Sequence, residues 1–140
     1  MPLSTPPINT VTKIFNNIVL TSAYTGNVSE TFEGNFIDQL TVLPKYTTGA
    51  SETGTTCDIQ LQISTNGTDW HTYGKADYTS GVLTITDIDY RFGGGAGDTE
   101  YLGAFQQIPV SSVYYRFRAK ENGAPTNAGN LSMEVIESYT

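Results

Sequence analysis

Cysteine is almost absent from this chain. Cys57 stands alone in 140 residues, which excludes an internal disulfide and any metal site built only from cysteine. Histidine is equally scarce, so a Ser-His-Asp relay has His71 as its one possible base, and no nucleophile-elbow pattern accompanies it. Basic residues number seven against fourteen acidic ones, a formal charge of −7. Affinity for a phosphate backbone comes from clustered Lys and Arg, so this balance argues against nucleic acid as a partner. No apolar run approaches the roughly 20 residues that span a bilayer, and no membrane partner is expected. The N-terminus, MPLSTPPINTVTK, lacks a basic segment followed by an apolar one, so no signal peptide is expected. The N-x-S/T sequons at Asn27, Asn66 and Asn130 then read as turn chemistry. Helical periodicity is missing too: no segment of period 3.6 runs beyond two turns.

What remains is a composition for strands and turns. Ser, Thr, Gly and Asn are abundant, charged residues make up only 15%, and nine Tyr and six Phe supply bulk. A chain of this length with no compositional break reads as one domain with a sizeable core.

The plainest local statement lies at 56–75. Cys57, Ile59, Leu61 and Ile63 alternate with Asp58, Gln60, Gln62 and Ser64, the period of a strand with one buried and one wet face. Asn66-Gly67 tolerates the positive φ of a tight turn, and Trp70 to Tyr73 reads as the returning strand of a β-hairpin. The inward register makes Cys57 a small core residue. Residues 113–120 repeat the alternation, with Val113, Tyr115, Phe117 and Ala119 facing one way and Tyr114, Arg116, Arg118 and Lys120 the other.

The other strands are expected at 17–24, at 32–46 as one long or two short segments with a bend at Gly34 and Pro44 at a sheet edge, at 82–92, at 101–108, and through Leu131, Met133 and Val135. The phase of 82–92 switches between Ile85 and Ile88, which calls for a bulge or short turn near Thr86 and Asp87. KADYTSG, 75–81, reads as a turn. Eight or nine strands at such spacing describe an all-β fold, a single β-sandwich or jelly-roll-like domain over 17–140. Residues 1–16 hold Pro2, Pro6 and Pro7, which favour an extended arm that is either a loose terminus or a strap across a neighbouring subunit. In the second case Pro6, Pro7, Ile8 and Phe15 are the partner contacts, with Ile18 and Leu20 following as apolar anchors.

Candidates for chemistry are sparse. Asp87, Asp89, Asp98 and Glu100 supply carboxylate pairs of the kind glycoside hydrolysis uses, or oxygens for a calcium ion beside the glycine loop 93–98. The same acids are what a solvated strand face shows, and GGGAGD occurs once where the calcium-binding nonapeptide architecture repeats. No catalytic residue, metal site or cofactor is therefore expected. STNGTDW, 64–70, is similar to a hairpin of discoidin-like carbohydrate-binding sandwiches, with Asn66 in place of Asp. On that reading Trp70, Tyr73 and Tyr78 form a glycan platform; on the other, Trp70 folds back to plug one end of the core. Arg116, Arg118 and Lys120 put three of the seven basic residues on one strand face, paired with acids such as Glu134 or facing an acidic partner.

LTVLPKYTTG, DIQLQISTNGTDWHTYG, DYRF and YYRFRAKENGAPTNAGNLSMEVI, in that order, resemble small β-sandwich structural proteins of tailed bacteriophages over roughly 36–137. The resemblance implies a non-enzymatic virion component, made in the host cytoplasm. Its expected role is capsid decoration or another accessory structural role, with homo-oligomers bound to a larger virion protein such as the major capsid protein. A carbohydrate-binding module for adhesion or receptor binding is the alternative.

Overall fold

The computed structural model describes residues 9–34, 37–94, 100–107, 110 and 113–139. The described residues form twelve strands: β1 (Asn9–Val19), β2 (Phe32–Glu33), β3 (Ile37–Thr47), β4 (Thr56–Ser64), β5 (His71–Thr72), β6 (Gly74–Thr79), β7 (Val82–Asp87), β8 (Tyr90–Gly93), β9 (Glu100–Leu102), β10 (Phe105–Gln107), β11 (Tyr114–Asn122) and β12 (Asn130–Tyr139). The one helical element among the described residues is a 3-10 turn at Tyr24–Gly26.

All pairings between these strands are antiparallel. One sheet runs β1-β12-β3, with β9 and β10 both on the far side of β3. The other runs β2-β11-β4, with β5 and β8 both on the far side of β4. Taking each broken edge as one strand leaves eight positions in two four-stranded layers, a jelly-roll order. The fold is therefore the all-β sandwich that the alternation implied.

The core lies between the layers. Inward residues of β3 (Leu40, Val42, Tyr46), β4 (Cys57, Ile59, Leu61), β11 (Tyr115, Phe117, Ala119) and β12 (Leu131, Met133, Val135) all have 0% exposure. Rings tighten it: Phe32 stacks on Tyr115 at 5.5 Å, and Tyr115 meets Phe117 edge-on at 6.1 Å. Burial raises the Cys57 thiol well above its ordinary value, with the Asp58 and Glu121 charges adding to it, so it is a packing group and not a thiolate.

The N-terminal segment departs from expectation. Asn9–Phe15, expected as part of an extended arm over 1–16, belongs to strand β1, which pairs with β12 from Asn9↔Ser138 to Val19↔Asn130. Register shifts at Lys13/Phe15 and Phe15/Ile18 break the period of two, and Asn17 takes φ 49 at the second. Such bulges let consecutive residues face the same way, so Ile14 and Phe15 both enter the core. Phe15 (4% exposed) and Leu20 (3%), proposed as anchors in a neighbour, are buried in their own domain, and Ile18 packs against them. Pro6, Pro7 and Ile8 lie outside the described residues.

Pro44 corrects a second expectation. It lies in an inner strand, with Met133 of β12 on one side and the β9/β10 edge on the other. Its carbonyl accepts from Gly103 N–H at 3.0 Å, but without an N–H it returns nothing, and the edge strand is interrupted there. KADYT is likewise a strand rather than a turn: β6 and β7 form a hairpin closed at Ser80 and Gly81, whose φ angles of 52 and 78 suit a type I′ turn.

Phe117→Ala is expected to cost about 3–5 kcal/mol in urea unfolding, whereas Leu83→Ala on the β6–β7 hairpin stays within about 0.5 kcal/mol. Equal losses would contradict this placement of the core.

Candidate interaction surfaces

The outer face of the β4–β11 pair is not wet. Asp58, Gln60 and Gln62, assigned to solvent by alternation, are 0%, 3% and 5% exposed. Cross-strand register explains the burial, because Lys120 lies opposite Asp58, Arg118 opposite Gln60 and Arg116 opposite Gln62. The long Arg116 and Arg118 side chains lie over Gln62 and Gln60 and hydrogen-bond down to them.

The result is a connected polar layer. Arg116 Nε donates to Gln62 Oε1 at 2.9 Å, and Gln62 Nε2 donates to Thr72 Oγ1 at 3.1 Å. Arg118 Nε donates to Gln60 Oε1 at 2.7 Å and its Nη2 to Thr72 Oγ1 at 3.3 Å. Gln60 Nε2 donates to Asp89 Oδ1 at 2.6 Å, which also accepts from the Tyr24 hydroxyl at 2.5 Å. Arg91 grips Asp58 with both ends of its fork, Nε to Oδ1 at 2.7 Å and Nη2 to Oδ2 at 2.8 Å. Desolvation pulls the Asp58 carboxyl upward. Hydrogen bonds from Arg91 and Asn122, with the Arg91 and Lys120 charges, outweigh it and hold the group below the usual carboxylate range. The Tyr24 hydroxyl is pushed well up by its burial and by Asp89, and stays a donor.

Aromatic rings meet the cations. The Arg116 guanidinium lies 4.3 Å from the Trp70 ring centroid, and Tyr24 meets Arg118 at 4.9 Å and Lys120 at 4.8 Å. The structure thus gathers Arg116, Arg118 and Lys120 into one row. Glu134, suggested as their counter-ion, lies on the other sheet with Lys13 at 3.6 Å. Among the described residues no salt bridge engages the three.

The proposed glycan residues are not gathered. Trp70 is half-buried with one face taken by Arg116, so it is neither a core plug nor an open platform. Tyr73 packs against the core, and Tyr78 is 74% exposed on the β6–β7 hairpin. The carboxylates are dispersed as well: Asp89 is held by Tyr24 and Gln60, Glu100 pairs with Lys45 at 3.2 Å on the first sheet, and Asp98 lies outside the described residues. Among the described residues no group of three or more His, Cys, Asp or Glu is placed to hold a metal ion. His71 is exposed on β5.

The second surface escaped the sequence reading. The β6–β7 hairpin leaves the sheet edge between β5 and β8 and, among the described residues, pairs with no other strand. Its foot is held by Ile88 N–H to Tyr73 O at 3.0 Å. Ala76 pairs with Ile85 and Tyr78 with Leu83, which places all four on one face of the ribbon. Tyr78, Leu83 and Ile85 are 74%, 58% and 66% exposed, so among the described residues nothing covers that face. The available signal was Ser80-Gly81 between two short alternating runs.

No protein-family profile matches the chain, and no curated protein does. Two solved structures share its outline. Dimeric latent PorU from Porphyromonas gingivalis aligns with 95% of this chain and 13% of its own, at 11% identity and TM-score 0.47. The infectious bursal disease virus VP2 subviral particle aligns with 94% of this chain and 33% of its own, at 10% identity and TM-score 0.47. The chain thus spans a third or less of either, and at these values neither likeness assigns a function.

Because the folded-state carboxyl of Asp58 is lowered, its contribution is present above the unfolded value of about 3.9 and is lost as pH falls through the lower folded value. Unfolding free energies of wild type and Asp58→Asn, measured from pH 7 to 2, are expected to converge below about pH 4. Parallel curves would show that Asp58 titrates normally. Trp70→Ala should cost about 1–2 kcal/mol, the loss of a partly desolvated cation–π contact; a loss of about 3–5 kcal/mol would restore the core-plug reading.

Proposed function

We propose that this chain is a non-enzymatic structural subunit of a viral particle, an accessory or decoration protein that self-associates and seats on a larger particle protein such as a phage capsid protein. The observation that carries the reading is the β6–β7 hairpin, whose apolar face is left uncovered by the described residues of its own chain. A lone two-stranded ribbon is marginal in water, and an exposed apolar face of this kind marks a protein contact.

Further features agree. The jelly-roll order gives two stiff layers on which contact surfaces keep their shape, and this architecture is frequent in capsid proteins, although it also serves lectins. The row of Arg116, Arg118 and Lys120, held by stacking and by glutamine acceptors, offers positive charge to an acidic partner on a protein of net charge −7. The glycan alternative gains nothing from the geometry, since Trp70, Tyr73 and Tyr78 occupy three different settings.

The purified full chain is expected to exceed its monomer mass in light scattering, and antibodies should detect it in gradient-purified particles from virus-producing cells. A chain that is monomeric at every concentration and absent from particles would overturn the reading.

A further inference from the structure

The polar layer over β4 and β11 fixes two cations without pairing them. Its acids are engaged elsewhere: Asp58 is gripped by Arg91 at 2.7 and 2.8 Å, and Asp89 accepts from the Tyr24 hydroxyl and from Gln60. Arg116 and Arg118 receive neutral acceptors instead, Gln62 for the first, Gln60 and Thr72 for the second. A carboxylate would both fix a guanidinium and offset its charge, whereas a neutral oxygen only fixes it. Lys120, next along the row, lies opposite Asp58 and shares its field with Arg91.

The donors left over are specific. Arg116 bonds through Nε alone, and Arg118 through Nε and Nη2. Among the described residues both Nη atoms of Arg116 and the Nη1 of Arg118 therefore lack a protein partner, and neither arginine has an ion pair. Trp70 and Tyr24 restrain the two guanidiniums from the side, at 4.3 and 4.9 Å. Desolvation and then the neighbouring Arg118 charge lower the Arg116 guanidinium from its ordinary value, as suits a cation short of compensating charge.

Spacing selects the ligand. Arg116 and Arg118 stand two residues apart on β11, which sets their Cα atoms about 6.8 Å apart along the strand. An extended peptide presents alternate side chains at the same interval. A segment with carboxylates at every second position thus meets both arginines in register, and paired carboxylate oxygens match the planar fork. Nucleic acid fits less well, because three cations on a chain of net charge −7 do not follow a phosphate backbone beyond the row.

We infer that the outer face of β11 is a receptor for an extended acidic segment of another protein, bound by Arg116 and Arg118 with Lys120 at the end of the row. This rests on the assembly reading above and supplies the chemistry of the contact with the larger particle protein. Because the glutamines, Thr72 and the two rings already hold the arginines, binding gives up little of their side-chain freedom.

Trp70 is the one tryptophan in the chain and touches Arg116, so its fluorescence reports occupancy. Titrating the full chain at low salt with a short peptide of alternating Thr and Glu should give a saturable change in Trp70 emission that weakens as salt is raised. The matching peptide of Thr and Gln should give none. By calorimetry, Arg116→Gln and Arg118→Gln should each weaken binding of the acidic peptide about tenfold. Lys45→Gln removes the same charge from the other sheet and should change it less than about twofold. Circular dichroism and melting curves establish that the variants fold. Equal responses to the two peptides, equal losses for Lys45→Gln and the arginine variants, or tighter binding of oligothymidylate than of the acidic peptide overturns the inference. If it fails while the chain is present in particles, the assembly reading stands through the hairpin. Saturable, arginine-dependent peptide binding by a chain absent from particles supports the receptor and removes the assembly reading.

Discussion

The pairing of Thr56–Ser64 with Tyr114–Asn122 is the constraint on which most of this molecule depends. Side chains alternate across a sheet, so a slip of β4 by one residue against β11 would turn Ile59 and Leu61 away from the core and Asp58, Gln60 and Gln62 into it. The observed register does two things together. It fills the space between the layers with fully buried apolar groups, and it brings each basic residue of β11 opposite a short polar residue of β4.

That second consequence changes the character of the outer face. A buried Asp or Gln is costly unless its hydrogen bonds are made. Here Arg91, Arg116 and Arg118 make them while their own aliphatic stems act as a lid. Trp70 and Tyr24 hold the lid in place from the side. A comparable network closes one end of the sandwich, where the buried Glu121 accepts from the Tyr46 hydroxyl and from Gly129 N–H at 2.9 Å, and Tyr46 shares a hydrogen bond with Thr55 at 2.7 Å. Polar groups at both places are satisfied inside the chain, which fixes the side chains that carry them.

Both layers also end in interrupted edges. β9 and β10 are separated opposite Pro44, and β5 and β8 are separated by the inserted β6–β7 hairpin. Long unbroken edges invite uncontrolled strand addition. Short ones suppress it, while the hairpin directs apolar surface outward at one defined point.

Sequence alone determined the all-β class, the inward rows of residues 57–63 and 113–119, the role of Cys57 and the alignment of Arg116, Arg118 and Lys120, because period-two alternation is a local property of the chain. Tertiary structure decided the rest. Whether Gln60 and Gln62 meet water depends on what crosses above them from β11, 54 or more positions away. Whether Phe15 anchors a neighbour or its own core depends on two bulges that only pairing with β12 reveals. The carboxylates and aromatics that looked like companions were near in sequence only, since Trp70, Tyr73 and Tyr78 are parted where the chain leaves the sheet to form the hairpin. An uncovered face, finally, cannot be read from alternation: Leu83 and Ile85 carry the same signal as core residues, and their exposure follows because no described element lies over them.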